Sequence, residues 1–509
     1  MIPTQVPRRR NRRGPLVQIP DGLRHTGDAP KYLRLYRHLR DGIVSGALPP
    51  GHRLPASRTL AEDLQVSRNT VESALDQLRA EGFIVRAVGR GTQVSPSLAR
   101  ALRTPRTLRS GHRGPATAPP PRGREALSER GREVLGANHL IASTAGFTFA
   151  PCVPDPATIP VEPWRQILAR RSRRWSGVEA LPPDPAGYRA LREAIATYLV
   201  SSRGVRCDWT QVQVLASVQQ GITLLTRLLL DPGDAVWLEE PGYPGARTAF
   251  AAGNARIVPV PVDAEGLDVQ AGERLAPRAR LAYVTPSHQY PLGFTLSLER
   301  RASLLEWAER RDAWIIEDDY DSEFRYIGRP LASIQGLDPA GRVIYAGTFG
   351  KVLFPSIRLA YLVLPTGLLD AFASAQDVTG GGPPTFLQAA VAEFMDSGQF
   401  AGHLRKLRDL FRERRAALLD AARARLGGAI TLGPADTGLH VAAHLGDARD
   451  DRALSARAAR ARLDLPALSR YYAGSPASSG LLIHYAGSPP RMIQDGVAAL
   501  AELLEDSRA

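Results

Sequence analysis

Six short β runs alternate with stretches of helical spacing through the middle of the chain, at 212–215, 235–239, 281–285, 314–317, 343–346 and 360–364. This alternation narrows the possible folds sharply, because parallel strands need a crossover of a dozen or more residues and a helix usually supplies it. The expected body is therefore α/β, a largely parallel sheet covered by helices, with a smaller C-terminal α+β piece from about residue 385. The chain has 509 residues, 44% of them hydrophobic, enough to bury more than one core. Its two cysteines, Cys152 and Cys207, have no CxxC or His-rich neighbour. That argues against a disulfide scaffold or a zinc site and reads as two packing thiols in a reducing compartment. No apolar run approaches the roughly 18 residues of a membrane span. The start, with Arg8, Arg9, Arg10, Arg12 and Arg13, lacks the apolar stretch of a signal peptide. The expected location is the cytoplasm, with no membrane partner and no metal.

The net charge of +14 is confined to one end. Residues 1–140 hold 25 Lys and Arg against 11 Asp and Glu, and the remaining 40 and 40 cancel. An acidic polymer, by default nucleic acid, is the expected partner of this first quarter, and the body need not touch it. Only Lys31, Lys351 and Lys406 are lysine among 65 basic residues. A lysine kept in so arginine-rich a chain points to amine chemistry that a guanidinium cannot perform.

Residues 1–28, rich in Arg, Pro and Gly with few apolar anchors, form an expected disordered arm. The next segment, 29–96, has the pattern of a compact module. Leu35, Leu39, Ile43 and Val44 fall at helical spacing before the Pro49-Pro50-Gly51 turn. A second short helix follows Ser57, carrying Leu60, Ala61 and Leu64. A third begins after Ser67, an N-cap residue type, with Val71, Ala74, Leu75 and Leu78 on one face. Two β runs, 83–85 and 92–94, flank Gly89-Arg90-Gly91, which reads as a hairpin tip. Three helices and a basic hairpin make a winged helix-turn-helix. Residues 97–140, dense in Pro, Gly and Arg, read as a linker, and 141–509 as the body.

In a winged helix the start of the recognition helix meets base edges, while the preceding helix and the wing hold phosphates. Arg68, Asn69 and Thr70 occupy that start. Arg53 and Arg58 flank the preceding helix, and Arg90 stands on the wing between Gly89 and Gly91, where backbone amides can approach a phosphate. Each arginine taken singly is more often a solvated surface charge. Together, Leu48-Pro-Pro-Gly-His-Arg-Leu-Pro-Ala-Ser-Arg58, Val66-Ser-Arg-Asn-Thr-Val71, and Glu81-Gly-Phe with Gly89-Arg-Gly-Thr92 resemble the GntR family of winged-helix regulators over about residues 30–95. The resemblance implies binding to double-stranded operator DNA.

At Glu317-Asp-Asp-Tyr-Asp-Ser-Glu-Phe324 a β run ends in acids, at the carboxyl edge where open α/β sheets bind ligands. A later β run leads into Gly347-Thr-Phe-Gly-Lys351, with Pro355 and Arg358 beyond it. Lys351 thus lies at a strand-to-loop edge, unlike Lys406 on a charged helix face. A lysine there can form an imine with an aldehyde, and an acid opposite can keep a heterocyclic nitrogen protonated. A nearby arginine can grip a phosphate. Those are the demands of pyridoxal 5'-phosphate (PLP).

Residues 143–505 resemble the PLP-dependent fold-type I aminotransferases. That resemblance implies Lys351 as the imine-forming lysine, Asp318 as partner of the pyridine nitrogen, Tyr320 as donor to the ring's phenolic oxygen, and Arg358 with Thr348 on the phosphate. Ala216-Ser-Val-Gln-Gln-Gly221 looks like the family's phosphate turn, placing Val218 and Gln219 at the cofactor. Tyr243, in Glu240-Pro-Gly-Tyr243, looks like the aromatic that stacks on the ring. A GntR-like winged helix joined to such a body resembles the MocR subfamily of transcriptional regulators. Thr285-Pro-Ser-His-Gln-Tyr-Pro-Leu-Gly293 looks characteristic of that subfamily. Membership implies a head-to-tail homodimer and a small-molecule effector.

The chain also departs from the enzymes' pattern. Tyr290 stands where an asparagine usually contacts the ring's phenolic oxygen. Leu482, in Leu481-Leu-Ile-His-Tyr-Ala486, stands where an arginine holds the substrate's α-carboxylate, unless Arg470 reaches in to replace it. Val218 replaces a hydroxyl of the phosphate turn and Gly350 a serine before the lysine. The expected function is a PLP-dependent transcriptional regulator with little or no transaminase turnover. Its effector is PLP itself, as in subfamily members that control vitamin B6 synthesis, or else an amine or amino acid. The alternative is a working aminotransferase with a DNA-binding appendage.

Overall fold

The computed structural model describes residues 30–87, 91–97, 128, 131, 146–151, 155–175, 183–328, 332–446 and 450–505, in two compact units, 1–118 and 119–509. The expected arm at 1–28 and nearly all of the 97–140 linker lie outside the described residues, as do Gly89, Arg90 and Cys152.

In the first unit α1 (Lys31–Val44), α2 (Ser57–Leu64) and α3 (Arg68–Ala80) precede a hairpin of β1 (Ile84–Ala87) and β2 (Gly91–Val94). Leu35, Tyr36, Leu39 and Ile43 recur every three or four residues along α1 and are buried with Val71, Ala74, Leu75 and Leu78 of α3. Val44 shares the spacing but is 48% exposed, because α1 ends on it. Ser67 caps α3, its Oγ accepting the Thr70 amide at 3.1 Å and satisfying a donor that a helix start otherwise leaves open. Residues 51–54, which the sequence does not mark as extended, run alongside β2. The Gly51 amide donates to Val94 O, the Val94 amide to His52 O and the Leu54 amide to Thr92 O, each at 2.9 Å. Four residues between Pro50 and Pro55 are too few to show strand alternation, so only the folded module reveals this third side of the wing.

The second unit is built on eight strands: β3 (Val212–Leu215), β4 (Ala235–Glu240), β5 (Arg256–Asp263), β6 (Gly266–Leu267), β7 (Leu281–Val284), β8 (Trp314–Asp319), β9 (Val343–Thr348) and β10 (Ala360–Val363). Their order is β3-β10-β9-β8-β7-β4-β5-β6. The run β5-β4-β7-β8-β9 is parallel, and β10 is antiparallel to both β3 and β9. Every residue of β3, β7 and β10 is buried, as expected when both faces of a sheet are covered. On one face Trp237 and Trp307 stack with centroids 3.9 Å apart. All six expected runs are strands. The long strand β5 is an addition that Pro259 and Pro261 conceal. It tolerates them because the two-residue β6 pairs only with Val262 and Asp263 on its outer side, so no ladder bond is lost there.

Beyond the sheet, a three-stranded antiparallel sheet of β11 (Ile430–Leu432), β12 (His440–Leu445) and β13 (Gly480–His484) packs with the helices Gln399–Arg425 and Pro490–Glu505, giving the expected α+β piece. Cys207 is a half-buried free thiol packed against the main core. Among the described residues no helix is long and apolar enough to cross a membrane.

Candidate cofactor site and DNA-facing surface

Strand register brings most of the expected cofactor residues to one edge. Asp318 on β8 lies opposite Ala346 on β9, and Thr348 ends β9 three residues before Lys351. Ala360, which opens β10 just after Arg358, is level with both Thr348 and Leu215, the last residue of β3. The helix α4 (Val218–Leu229) begins just beyond Leu215. Asp318, Thr348, Lys351, Arg358 and the start of α4 therefore leave the sheet side by side. The Lys351 ammonium is near enough for its charge to act on Asp318, His440 and His484.

Asp318 is buried. Its Oδ2 accepts the Tyr283 hydroxyl, while Oδ1 is buried without a hydrogen-bond partner. An open carboxylate oxygen in a dry site is costly, and a protonated ring nitrogen would satisfy it. The residues present therefore fit PLP. Nothing in the sequence singles out Tyr283, since a tyrosine in an apolar strand reads as core.

Burial pushes the Asp318 carboxyl up to about 7, opposed by the Tyr283 hydrogen bond and the charge of Lys351. An unfolded carboxyl titrates near 4, so between about pH 4 and 7 the folded, cofactor-free protein holds a proton at Asp318 that the unfolded chain has lost. Stability from this group is greatest below that window and falls as pH rises through it. Replacing it with an amide removes the trend. The melting temperature of Asp318→Asn should gain on that of the wild type between pH 5 and 8, by roughly 2 °C for each kcal/mol in a large domain. Tryptophan fluorescence measures this for the second unit alone, because all six tryptophans lie at position 164 or later. A difference that does not vary with pH would show that Asp318 is ionised throughout.

Tyr320, two residues past Asp318, donates its hydroxyl to His288 O at 2.9 Å and sits 3.0 Å from His288 Nδ1. That nitrogen is also 2.9 Å from Asp321 Oδ2. The buried Asp321–His288 pair thus holds the phenol of Tyr320 in place. His288, Asp321 and His440 bring possible ligand atoms within 4.8 Å of one another, but the His288–Asp321 contact already serves this support. Gly438, at φ +87, packs so closely on the His288 ring that a Cβ there would collide with Cε1.

Tyr243 lies nearly parallel to Tyr283, at 25° with centroids 6.4 Å apart. It is edge-on to Tyr290 at 5.9 Å. Gln219 Nε2 donates to Gly245 O at 2.8 Å, which ties the start of α4 to the first turn of the helix Pro244–Ala252, just after Tyr243. Ser217 caps α4 through the Gln220 amide at 3.1 Å. Val218 and Gln219 fall in the first turn, where amides have no intrahelical acceptor and favour an anion. Arg358 is exposed and adopts φ +51 on the turn before β10. Thr348 Oγ1 accepts the Gly350 amide at 3.0 Å.

Leu482 is buried with Leu292, Ala442, Leu468 and Tyr471, and Tyr290 packs against them. Arg470 lies in the short turn Leu468–Tyr471, half-buried, with its carbonyl accepting Arg247 at 3.4 Å.

On the first unit Arg53, Arg58, Arg68 and Asn69 are exposed. Arg58 pairs with Glu62 at 3.4 Å, both side chains at least 70% exposed, an interaction weak enough for a phosphate to displace. Arg68 and Asn69 open α3. The Thr70 hydroxyl lies 2.8 Å from Ser67 Oγ and is committed to the cap. Arg53 bridges to Gln93 on the wing, so it belongs to the wing sheet as well as flanking α2. Gly91, at φ +77, opens β2.

Residues 31–94 match the family of bacterial regulatory proteins described as gntR, and residues 155–468 match aminotransferase class I and II. The chain is 38% identical over 479 residues to the probable rhizopine catabolism regulatory protein MocR of Rhizobium meliloti, covering 94% of each chain. It is 33% identical over 457 residues to the pyridoxine biosynthesis transcriptional regulator PdxR of Corynebacterium glutamicum, covering 89% of this chain and 91% of that one. Among solved structures it is similar to the alpha-aminoadipate aminotransferase LysN of Thermus thermophilus, complexed with N-(5'-phosphopyridoxyl)-L-leucine. That similarity has 29% identity and a TM-score of 0.67, and it covers 75% of this chain and 98% of that one.

Proposed function

Because the chain belongs to the MocR type of GntR-family transcription regulators, a DNA-binding winged helix joined to a PLP-type aminotransferase body, we propose that PLP held at Lys351 sets its affinity for operator DNA. The observation that carries this reading is the unpartnered, buried Oδ1 of Asp318 at the same sheet edge as Lys351. PLP, when bound, supplies an aldehyde for a lysine amine and a ring that withdraws electrons while its nitrogen is protonated. Lys351 would bind the aldehyde end, and Asp318, oriented by Tyr283, would hold the ring nitrogen. Tyr243 would pack on the ring, and Tyr320 and Tyr290 would serve its phenolic oxygen. The first turn of α4, through Val218 and Gln219, would hold the phosphate together with Arg358 and Thr348. Arg53, Arg58, Arg68, Asn69, Thr70 and Gly91 would meet the DNA, joined by Arg90, which lies outside the described residues, and the active species is a head-to-tail homodimer.

Occupancy at Lys351 alters DNA affinity only if PLP binds two arrangements of the protein unequally. Control of vitamin B6 metabolism, with PLP as the signal, fits the relationship to a regulator of pyridoxine biosynthesis. The test is binding of DNA flanking this protein's own coding region by cofactor-free and PLP-loaded protein, with keto-acid release assayed in parallel. A several-fold difference in affinity, without turnover of amino acids, is expected. Equal affinities would remove PLP as the signal, and multiple turnovers would make the protein an aminotransferase.

A further inference from the structure

The C-terminal sheet brings two histidines within reach of the charge of Lys351, and the strands that carry them, β12 and β13, form a wall with no formal charge. His440 on β12 stands directly opposite His484 on β13, with Ala442 opposite Leu482 on the same face. The two imidazoles are 5.1 Å apart. His440 meets the edge of Tyr290 at 5.2 Å and stacks on Tyr320 at 6.5 Å, which ties the wall to the Asp318 end of the site. Both histidines are buried. Burial, with the charge of Lys351, lowers His484 to about 3 and His440 well below its ordinary value, so both are neutral. His440 Nε2 is 3.2 Å from Pro291 O, whereas His484 Nε2 is buried with no partner. Leu482 contributes only an apolar surface. A carboxylate placed against this wall would be desolvated with no arginine or lysine on either strand to pair with it, an unfavourable exchange. A hydroxyl would give His484 Nε2 the hydrogen bond it lacks, and it can act as donor or acceptor for either tautomer.

We propose that the site, once loaded with PLP, takes as effector a primary amine whose body carries hydroxyl groups and no carboxylate, with the hydroxyls against His484 and the aromatic wall. This rests on the reading of Lys351 and Asp318 as the PLP site.

The test uses the full-length, PLP-loaded protein and two probes that differ in one group, 2-amino-1,3-propanediol and L-serine. Titrations are followed by the visible absorption of bound PLP and by tryptophan fluorescence. The diol should reach its midpoint at a concentration at least about tenfold lower than serine, and His484→Phe should raise that midpoint by a similar factor. Leu482→Arg, where it folds, should reverse the preference. Serine binding as well as the diol would overturn the proposal and point to Arg470 or Arg247 as a cation reaching the wall. No response to either probe would overturn it too, leaving PLP as the sole ligand. Failure of the PLP site itself is distinct, because the absorption of bound PLP would then be absent before any probe is added.

Discussion

Lys351→Ala should abolish the long-wavelength absorption of PLP bound to this protein. The band needs a lysine amine in covalent contact with the cofactor's aldehyde, and the alternatives are poorly placed. Lys31 opens α1 in the first unit, and Lys406 is exposed on the helix Gln399–Arg425. Arginine cannot substitute, because its guanidinium stays protonated and is no nucleophile. The substitution also removes a positive charge that holds the Asp318 carboxyl down, so Asp318 is protonated over a wider pH range and grips the ring nitrogen less well. Borohydride reduction of the wild type followed by peptide mapping should place the cofactor on Lys351, with no labelled peptide in the variant. Arg358→Ala gives the contrasting result, a raised dissociation constant for PLP with the band retained at saturation. If Lys351→Ala keeps the band, the site lies elsewhere.

Replacing Arg58 and Arg68 together should remove most operator affinity while leaving the tryptophan fluorescence and PLP spectrum of the second unit unchanged. The two act differently. Arg58, largely exposed on α2, is placed for a phosphate, and Arg58→Ala should weaken all sequences alike and lower the slope of affinity against salt by about one. Arg68 opens the recognition helix beside Asn69, and Arg68→Ala should cost about 1–3 kcal/mol on the operator and relax preference at one base position. Anisotropy titrations at several salt concentrations separate the two effects. Operator affinity indifferent to both substitutions would sink the assignment of this surface.

Much of the architecture was legible because its causes are local. Helical spacing in α1 and α3, the Ser67 cap and the apolar runs of β3, β7 and β8 each follow from residues within a few positions of one another. What escaped was structure whose partners are distant. Residues 51–54 pair with β2 only once the winged helix has closed, and β5 exists because the outer side of its prolines needs no donor.

The site divides in the same way. Lys351 and Asp318 could be named because each follows or ends a β run at the sheet edge, whereas Tyr320, Arg358, the α4 turn and the neutral Leu482 were named from the resemblance to fold-type I aminotransferases and the departure from its pattern. Charge segregation likewise pointed from composition alone to an acidic polymer as partner of the first quarter, and the winged-helix motifs with the GntR resemblance made that polymer DNA. Only the tertiary structure decided which groups stand behind those residues. Tyr283 orients Asp318 from the neighbouring strand β7, the Asp321–His288 pair holds Tyr320, and His440 with His484 forms the wall within reach of the charge of Lys351. The physical reason is that burial and hydrogen bonding set a group's charge. The same aspartate that reads as a solvated acid in sequence becomes, inside the sheet edge, a carboxyl pushed up to about 7 with one oxygen still waiting for a donor.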